Sequence, residues 1–217
     1  MSTLNYKKYS TALEDNTLYS AAPNTNYGTS SALSLSYTSG LLGVDNVAIM
    51  RFSKPVEVTS ENLQNAILSL YQIGWTGLGD PPGEVNITIK AAFLDNSSWT
   101  EAGSNWTRPR AGASWNISGA YQSPDIVSST VSSQIVVHDS SILGQAIQMN
   151  VTEAIRYALA NNKSICLSVW IETNDSWEYA SSEYSTVEYR PTIEFSYNVP
   201  QKPSRIGKKN TPKIPSL

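Results

Sequence analysis

Few residues in this sequence have the type and spacing for covalent chemistry. His138 stands next to Asp139, a pairing that general acid–base catalysis would use if both side chains shared a face. They follow Val136 and Val137 in an extended run, however, and adjacent residues on a strand point to opposite faces. Glu183 and Glu188 are two carboxylates close in sequence, the residue type of glycoside hydrolysis, but nothing else in the segment suggests a cleavage site. Cys166 lies in the apolar run Ser164-Ile165-Cys166-Leu167-Ser168-Val169-Trp170, with no histidine in local reach, and reads as a buried, inert thiol. With one cysteine and one histidine in 217 residues there is no internal disulfide and no His-rich metal site. No nucleophile elbow, phosphate-binding loop or metal-ligand spacing is present. The chain therefore reads as non-enzymatic, with no catalytic residue and no metal motif.

Non-covalent recognition is better provided for. Six Trp and twelve Tyr against three Phe favour rings that carry a polar handle. Trp75 ends an apolar run before the Gly77–Gly83 loop. Trp115 and Tyr121 fall in one Ser/Gly-rich segment, and Trp177, Tyr179 and Tyr184 in another. Read as lying off the strand cores, Trp75, Trp115, Tyr121, Trp177 and Tyr179 are candidate ligand residues. A ring face would lie against sugar C–H groups, with neighbouring Asn, Asp or Arg reaching hydroxyls. The same residues would serve a protein interface equally well, and the sequence does not separate the two.

The stretch Trp99–Pro109 has two readings. Trp99 and Trp106 could stack on sugars while Glu101 and Arg108 bind hydroxyls. Alternatively the tryptophans anchor a long loop and Glu101 pairs with Arg108 to pin it. The number of backbone polar groups that a long loop must satisfy favours pinning. The turn over Pro23–Gly28 could give carbonyls, with Asp15, to a calcium ion, since calcium takes oxygen ligands. No Asp-x-Asp array accompanies it, so no cofactor is assigned and calcium is the one that the loop could take.

Positioning these residues falls to strands. Leu33, Leu35 and Tyr37 alternate with polar neighbours, as do Val85–Phe93, Ala66–Leu70, Ile165–Ile171 and Ile193–Tyr197. Shorter runs at Val47–Phe52 and Ile135–Val137 bring the strand candidates to seven. Gly, Pro and Asn clusters separate them, a pattern that predicts an all-β antiparallel sandwich. Thr152–Ala160 is the one clear helix, with Ala154, Ile155, Ala158 and Leu159 on one stripe and Asn150 or Thr152 as cap. A weaker helical turn is expected over Ser60–Asn65.

Charge divides the chain at residue 200. Residues 201–217 hold Lys202, Arg205, Lys208, Lys209 and Lys213 and no acid, whereas the first 200 residues carry 10 basic and 18 acidic side chains. An acidic body argues against nucleic-acid phosphates as partner. No apolar run approaches the length of a membrane span, and Met1–Tyr9 is not a secretory signal. The expected organisation is an N-terminal arm over 1–11, a sandwich over 12–199 and an extended, Pro/Lys-rich tail over 200–217. That tail would dock on a neighbouring subunit.

Several stretches, in this order, carry a resemblance: Ala12-Leu13-Glu14-Asp15-Asn16-Thr17-Leu18-Tyr19, Pro23–Ser31, Ala66–Tyr71, Trp99–Pro109, Met149-Asn150-Val151-Thr152, and Arg190-Pro191 continuing to Tyr197. Together they resemble the DNRLRE domain, or disaggregatase-related repeat, a family overlapping carbohydrate-binding modules for alginate-like glycans. Asn150 stands where that family has Asp. The resemblance implies a jelly-roll-like sandwich without catalytic residues, of the kind found in secreted enzymes, surface proteins and some virion proteins. Trp99, Glu101, Trp106, Arg108, Pro109, Arg190 and Pro191 are its structural motif. The expected role is a structural or attachment subunit of a virion or extracellular surface, binding glycan and docked through its tail. The alternative is a carbohydrate-binding module belonging to a larger secreted polysaccharide-active enzyme.

Overall fold

A computed structural model describes residues 3–38, 45–77 and 83–200. The basic residues of the expected docking tail lie outside this range. Among the described residues, ten strands run in the order β1 (Thr3–Tyr19), β2 (Ala32–Tyr37), β3 (Asn46–Phe52), β4 (Leu63–Trp75), β5 (Glu84–Phe93), β6 (Ser132–Asp139), β7 (Ala146–Asn150), β8 (Ile165–Ile171), β9 (Asp175–Ala180) and β10 (Thr192–Pro200). One α-helix, α1 (Thr152–Ala160), follows β7. The expected all-β antiparallel sandwich with one short helix is the fold observed.

Every strand pairing is antiparallel, along the path β1-β10-β4-β9-β2-β3-β8-β5-β6, with β7 on β4. Two strands are shared between layers. β1 pairs with β10 over Thr3–Thr11, then with β3 over Ala12–Tyr19, with a register shift between Ala12 and Glu14. β4 pairs with β10 and β7 up to Tyr71 and with β9 from Gln72 onward, again through a register shift. Such irregularities bend a strand and re-aim its side chains. They let one hydrogen-bonded path wrap into a sandwich. The segment expected as an N-terminal arm is, from Thr3, the first half of β1.

Inward residues of both layers form the main core: Leu33 and Leu35 on β2, Met50 and Phe52 on β3, Leu68 and Leu70 on β4, Ile87 and Ile89 on β5, and Ile193 and Phe195 on β10. The helix adds its predicted stripe, Ala154, Ile155, Ala158 and Leu159, packed on β4, β5 and β8. The Asn150 side chain accepts from Thr152 N–H at 3.0 Å just ahead of the helix, but the N-cap position is Val151 and no side chain caps the helix, so the expected cap by Asn150 or Thr152 does not form. Residues 60–62 form a turn, not the expected helical one. Thr59 and Asn62 exchange side-chain-to-backbone hydrogen bonds of 2.8 and 3.3 Å, and β4 begins at Leu63.

A second, smaller core buries the other face of β3 and β8, so the alternation expected over Ile165–Ile171 does not leave one face exposed. Val47, Ile49, Cys166 and Trp170 point away from the main core and are covered by Trp99, Trp115, Ala120 and Ile126 of the long segment 94–127. Both faces of β8 are therefore buried, at every position. Cys166 is a packing residue in this layer, and burial pushes its thiol pKa up. Among the described residues no helix is long and apolar enough to cross a membrane.

The covering segment is pinned by Arg51 of β3. Its guanidinium donates to the Ser97 and Trp99 carbonyls at 3.1 and 2.7 Å, pairs with Glu14 of β1, and lies 4.7 Å over the Trp99 ring. The expected Glu101–Arg108 pair does not form. Arg108 is exposed, its backbone bridges Asn105, and Glu101 turns instead to accept from Asp15 N–H at 3.2 Å. The pinning idea survives with a different cation, one that the core strand supplies rather than the loop itself. Arg51→Ala is accordingly expected to cost about 1–3 kcal/mol, since it strands two carbonyls and a half-buried carboxylate. Arg108→Ala should stay within about 0.5 kcal/mol. Urea denaturation of the two variants checks the contrast.

Candidate functional site

A cleft of about 720 Å³ opens over the outer side of β2 and β9. Alternation on these two strands builds it. Leu33 and Leu35 point inward from β2, leaving Ala32, Ser34 and Ser36 on the other face. Trp177 and Tyr179 point inward from β9, leaving Ser176 and Glu178. Tyr19 at the end of β1, Tyr27 in the following loop, and Trp75 at the end of β4 supply aromatic walls. The Tyr19 and Tyr27 rings lie 6.0 Å apart, inclined by 59°. Thr17, Asn46, Thr76 and Asn174 complete a lining rich in neutral hydrogen-bonding groups.

Trp75 is fixed on two sides. Its indole N–H donates to Asp175 Oδ1 at 2.8 Å, and the same oxygen accepts from Ser176 N–H at 2.7 Å. A Cβ on Gly77 would come within 2.4 Å of the indole, so only glycine lets the backbone pass there. Glu178 stands opposite Gly74, where a Cβ would approach its Oε2 to 2.9 Å. Burial pushes the Glu178 carboxyl above its ordinary range. Among the described residues no cation lies within salt-bridge distance of Glu178 or Asp175.

A smaller cleft of about 260 Å³ adjoins the first and shares Ser36 with it. Tyr37, Asp45, Tyr121, Trp170 and Glu172 line it, and the Tyr121 hydroxyl donates to Asp45 at 3.2 Å.

Of the five ring residues expected to face a ligand, Trp75 and Tyr121 line clefts. The other three do not lie off the cores. Trp177 and Tyr179 are fully buried on the inner face of β9, and Trp115 is 5% exposed in the second core with its indole donating to Asn105 O at 2.8 Å. The burial of Trp177 and Tyr179 follows from β9, a strand that the polar sequence Asp175-Ser176-Trp177-Glu178-Tyr179 hides from a hydrophobicity pattern. Tyr19 and Tyr27 were missed because the sequence signals a turn at Pro23–Gly28, not which rings that turn brings together. The motif residues are distributed structurally. Trp99 is buried, and Trp106 packs 6.1 Å from Tyr121 with Gly119 against its ring. Pro109 O accepts from Thr100 N–H at 3.1 Å. Arg190 donates to Tyr184 O at 2.9 Å, and Pro191 O accepts from Ala12 N–H at 2.8 Å where β1 changes layer.

Asp15, Glu101 and Glu183 bring three carboxylate oxygens within 4.8 Å of one another, and they are the groups among the described residues that could hold a cation. Asp15 is 1% exposed and accepts from Ser182 N–H at 2.7 Å. Burial first, with Glu183 and Glu101 adding to it, pushes its carboxyl up to about 7. The Pro23–Gly28 turn borders the group, and its Asn26 amide donates to the backbone carbonyls of Glu101 and Ser104.

An antiparallel sandwich with an open cleft on its outer face, where rings stand among hydroxyls and carboxylates, has the build of a sugar-binding module. Comparison with protein families agrees with that class. Residues 6–195 match carbohydrate-binding module family 96, and the chain belongs to that family. No curated protein matches the chain.

Proposed function

We propose that this chain is a non-catalytic glycan-binding module and that the cleft over β2 and β9 is its binding site. The observation that carries the reading is the meeting of Trp75, Tyr19 and Tyr27 with neutral hydrogen-bonding side chains in one open cleft. An apolar ring against sugar C–H groups gives affinity, and the surrounding hydroxyls and amides set orientation. Membership of a carbohydrate-binding module family supports the same role and an extracellular or surface-associated setting. It also favours a module serving polysaccharide-active proteins over a structural virion subunit. Docking through Lys202, Arg205, Lys208, Lys209 and Lys213 falls on residues outside those described. The DNRLRE resemblance is compatible with the module reading.

Screening the full chain on a glycan array, followed by calorimetry, tests the site. Trp75→Ala and Tyr27→Ala are each expected to weaken binding at least tenfold, about 1.4 kcal/mol. Tyr27 is outside both cores, so its variant keeps the test valid if the Trp75 change loosens the fold. Unchanged affinity in both would move the site elsewhere.

A further inference from the structure

The chemistry of the cleft points to a narrower ligand class, and the inference rests on the reading of the cleft as the glycan site. We propose that it takes an uncharged, hydroxyl-rich glycan and rejects polyuronates, the acidic class to which alginate-like glycans belong.

Three groups decide this. Glu178 presents a half-buried carboxylate with no cation near it among the described residues. Asp175 gives one oxygen to Trp75 and Ser176, and its carboxyl group lines the same cleft. No Lys or Arg is among the lining residues. A uronate carboxylate entering here would meet two like charges in a partly desolvated space, where repulsion is stronger than in water. It would bring only acceptors to groups that are themselves acceptors.

The third group is Asn46, at the start of β3 and 7% exposed. Its amide N–H donates to Ser34 Oγ at 2.9 Å, while its Oδ1 has no partner among the described residues. Asn46 is a neutral side chain, and a sugar hydroxyl, both donor and acceptor, suits a lining of this kind. A sugar hydroxyl can donate to Glu178, which a carboxylate ligand cannot do. Seven Ser and Thr hydroxyls around the cleft extend the same neutral, two-way hydrogen bonding.

Calorimetry on the full chain separates the possibilities. The probes are hexasaccharides of the neutral gluco-, manno-, galacto- and xylo- series, alginate and polygalacturonate hexamers, and a glucosamine hexamer. At least one neutral series is expected to bind tenfold or more tighter than either polyuronate at low salt. Glu178→Gln and Asp175→Asn, both isosteric, should raise polyuronate affinity threefold or more, as should added salt through screening. Equal or tighter polyuronate binding overturns the inference and leaves the glycan site standing. So does a gap that neither variant narrows, and so does a tenfold preference for the glucosamine hexamer. Absence of binding to every sugar removes the glycan site itself.

Discussion

Trp177→Ala is expected to lower the free energy of unfolding by about 3–5 kcal/mol, the range for deleting a large buried ring. Trp177 is fully buried on β9, 4.8 Å from the His138 ring, with Ser176 and Glu178 of the cleft on either side of it in sequence. The same change would lose glycan binding, but through the fold. Trp177→Phe separates the two effects. The indole N–H has no partner among the described residues, so the phenyl ring removes volume and an unpaired donor together, and the cost should stay below about 2 kcal/mol. Urea denaturation of both variants, with glycan affinity measured on the phenylalanine form, checks this. A Trp177→Ala protein that kept its stability and lost only sugar affinity would show the ring to be a ligand surface after all.

The second large effect is acid lability centred on His138. It is fully buried on β6, its Nε2 lies 2.7 Å from the Tyr179 hydroxyl, and its Nδ1 has no partner among the described residues. Burial lowers its pKa to about 4, against the opposing pull of Asp175. In the unfolded chain the same imidazole titrates near 6.5. As pH falls below about 6.5 the unfolded chain gains a proton that the folded chain refuses, so stability is lost across the window down to about 4. The expected loss is about 3 kcal/mol. Asp15 acts with the opposite sign. Its carboxyl, raised to about 7, favours the folded state when protonated, and that contribution disappears as pH rises from about 4 to 7. His138→Gln keeps a hydrogen-bonding partner for Tyr179 and cannot titrate. Its stability at pH 4 relative to pH 6.5 should exceed the parent's by about 3 kcal/mol, with the Asp15 contribution common to both proteins, as read from denaturation midpoints. Parallel profiles would place the acid sensitivity on another group.

The sandwich was legible wherever one face of a strand is apolar and the other wet, as at Leu33–Tyr37 and Ile193–Tyr197. The helix was legible from its stripe. Three strands escaped for physical reasons. β1 buries Asp15, Asn16 and Thr17, which satisfy loop groups rather than an oily core. The Asn16 amide donates to Ser104 and accepts from Tyr27 N–H, and Thr17 Oγ1 accepts from Ser34 N–H. β7 is five residues long, and β9 alternates between large rings and acids that suggest an exposed loop. The site was half legible. Trp75 and Tyr121 could be selected as rings beside loops, but which rings face outward depends on strand parity. The loop-pinning cation was hidden for a related reason: Arg51 lies 48 positions from Trp99, and only the β3 register brings them together.

The division of β1 between two layers has a consequence for how the chain is made. Its first half has its neighbour in β10, with Thr3 opposite Pro200, so it leaves the ribosome long before its partner. Its second half can already pair with β3, which is near in sequence. The layer holding β10 therefore closes only after synthesis has passed residue 200. Pairings of such long sequence separation are slow to form and leave strand edges open meanwhile. Nascent-chain proteolysis should show residues 3–11 cleavable until β10 has emerged, and protected afterwards.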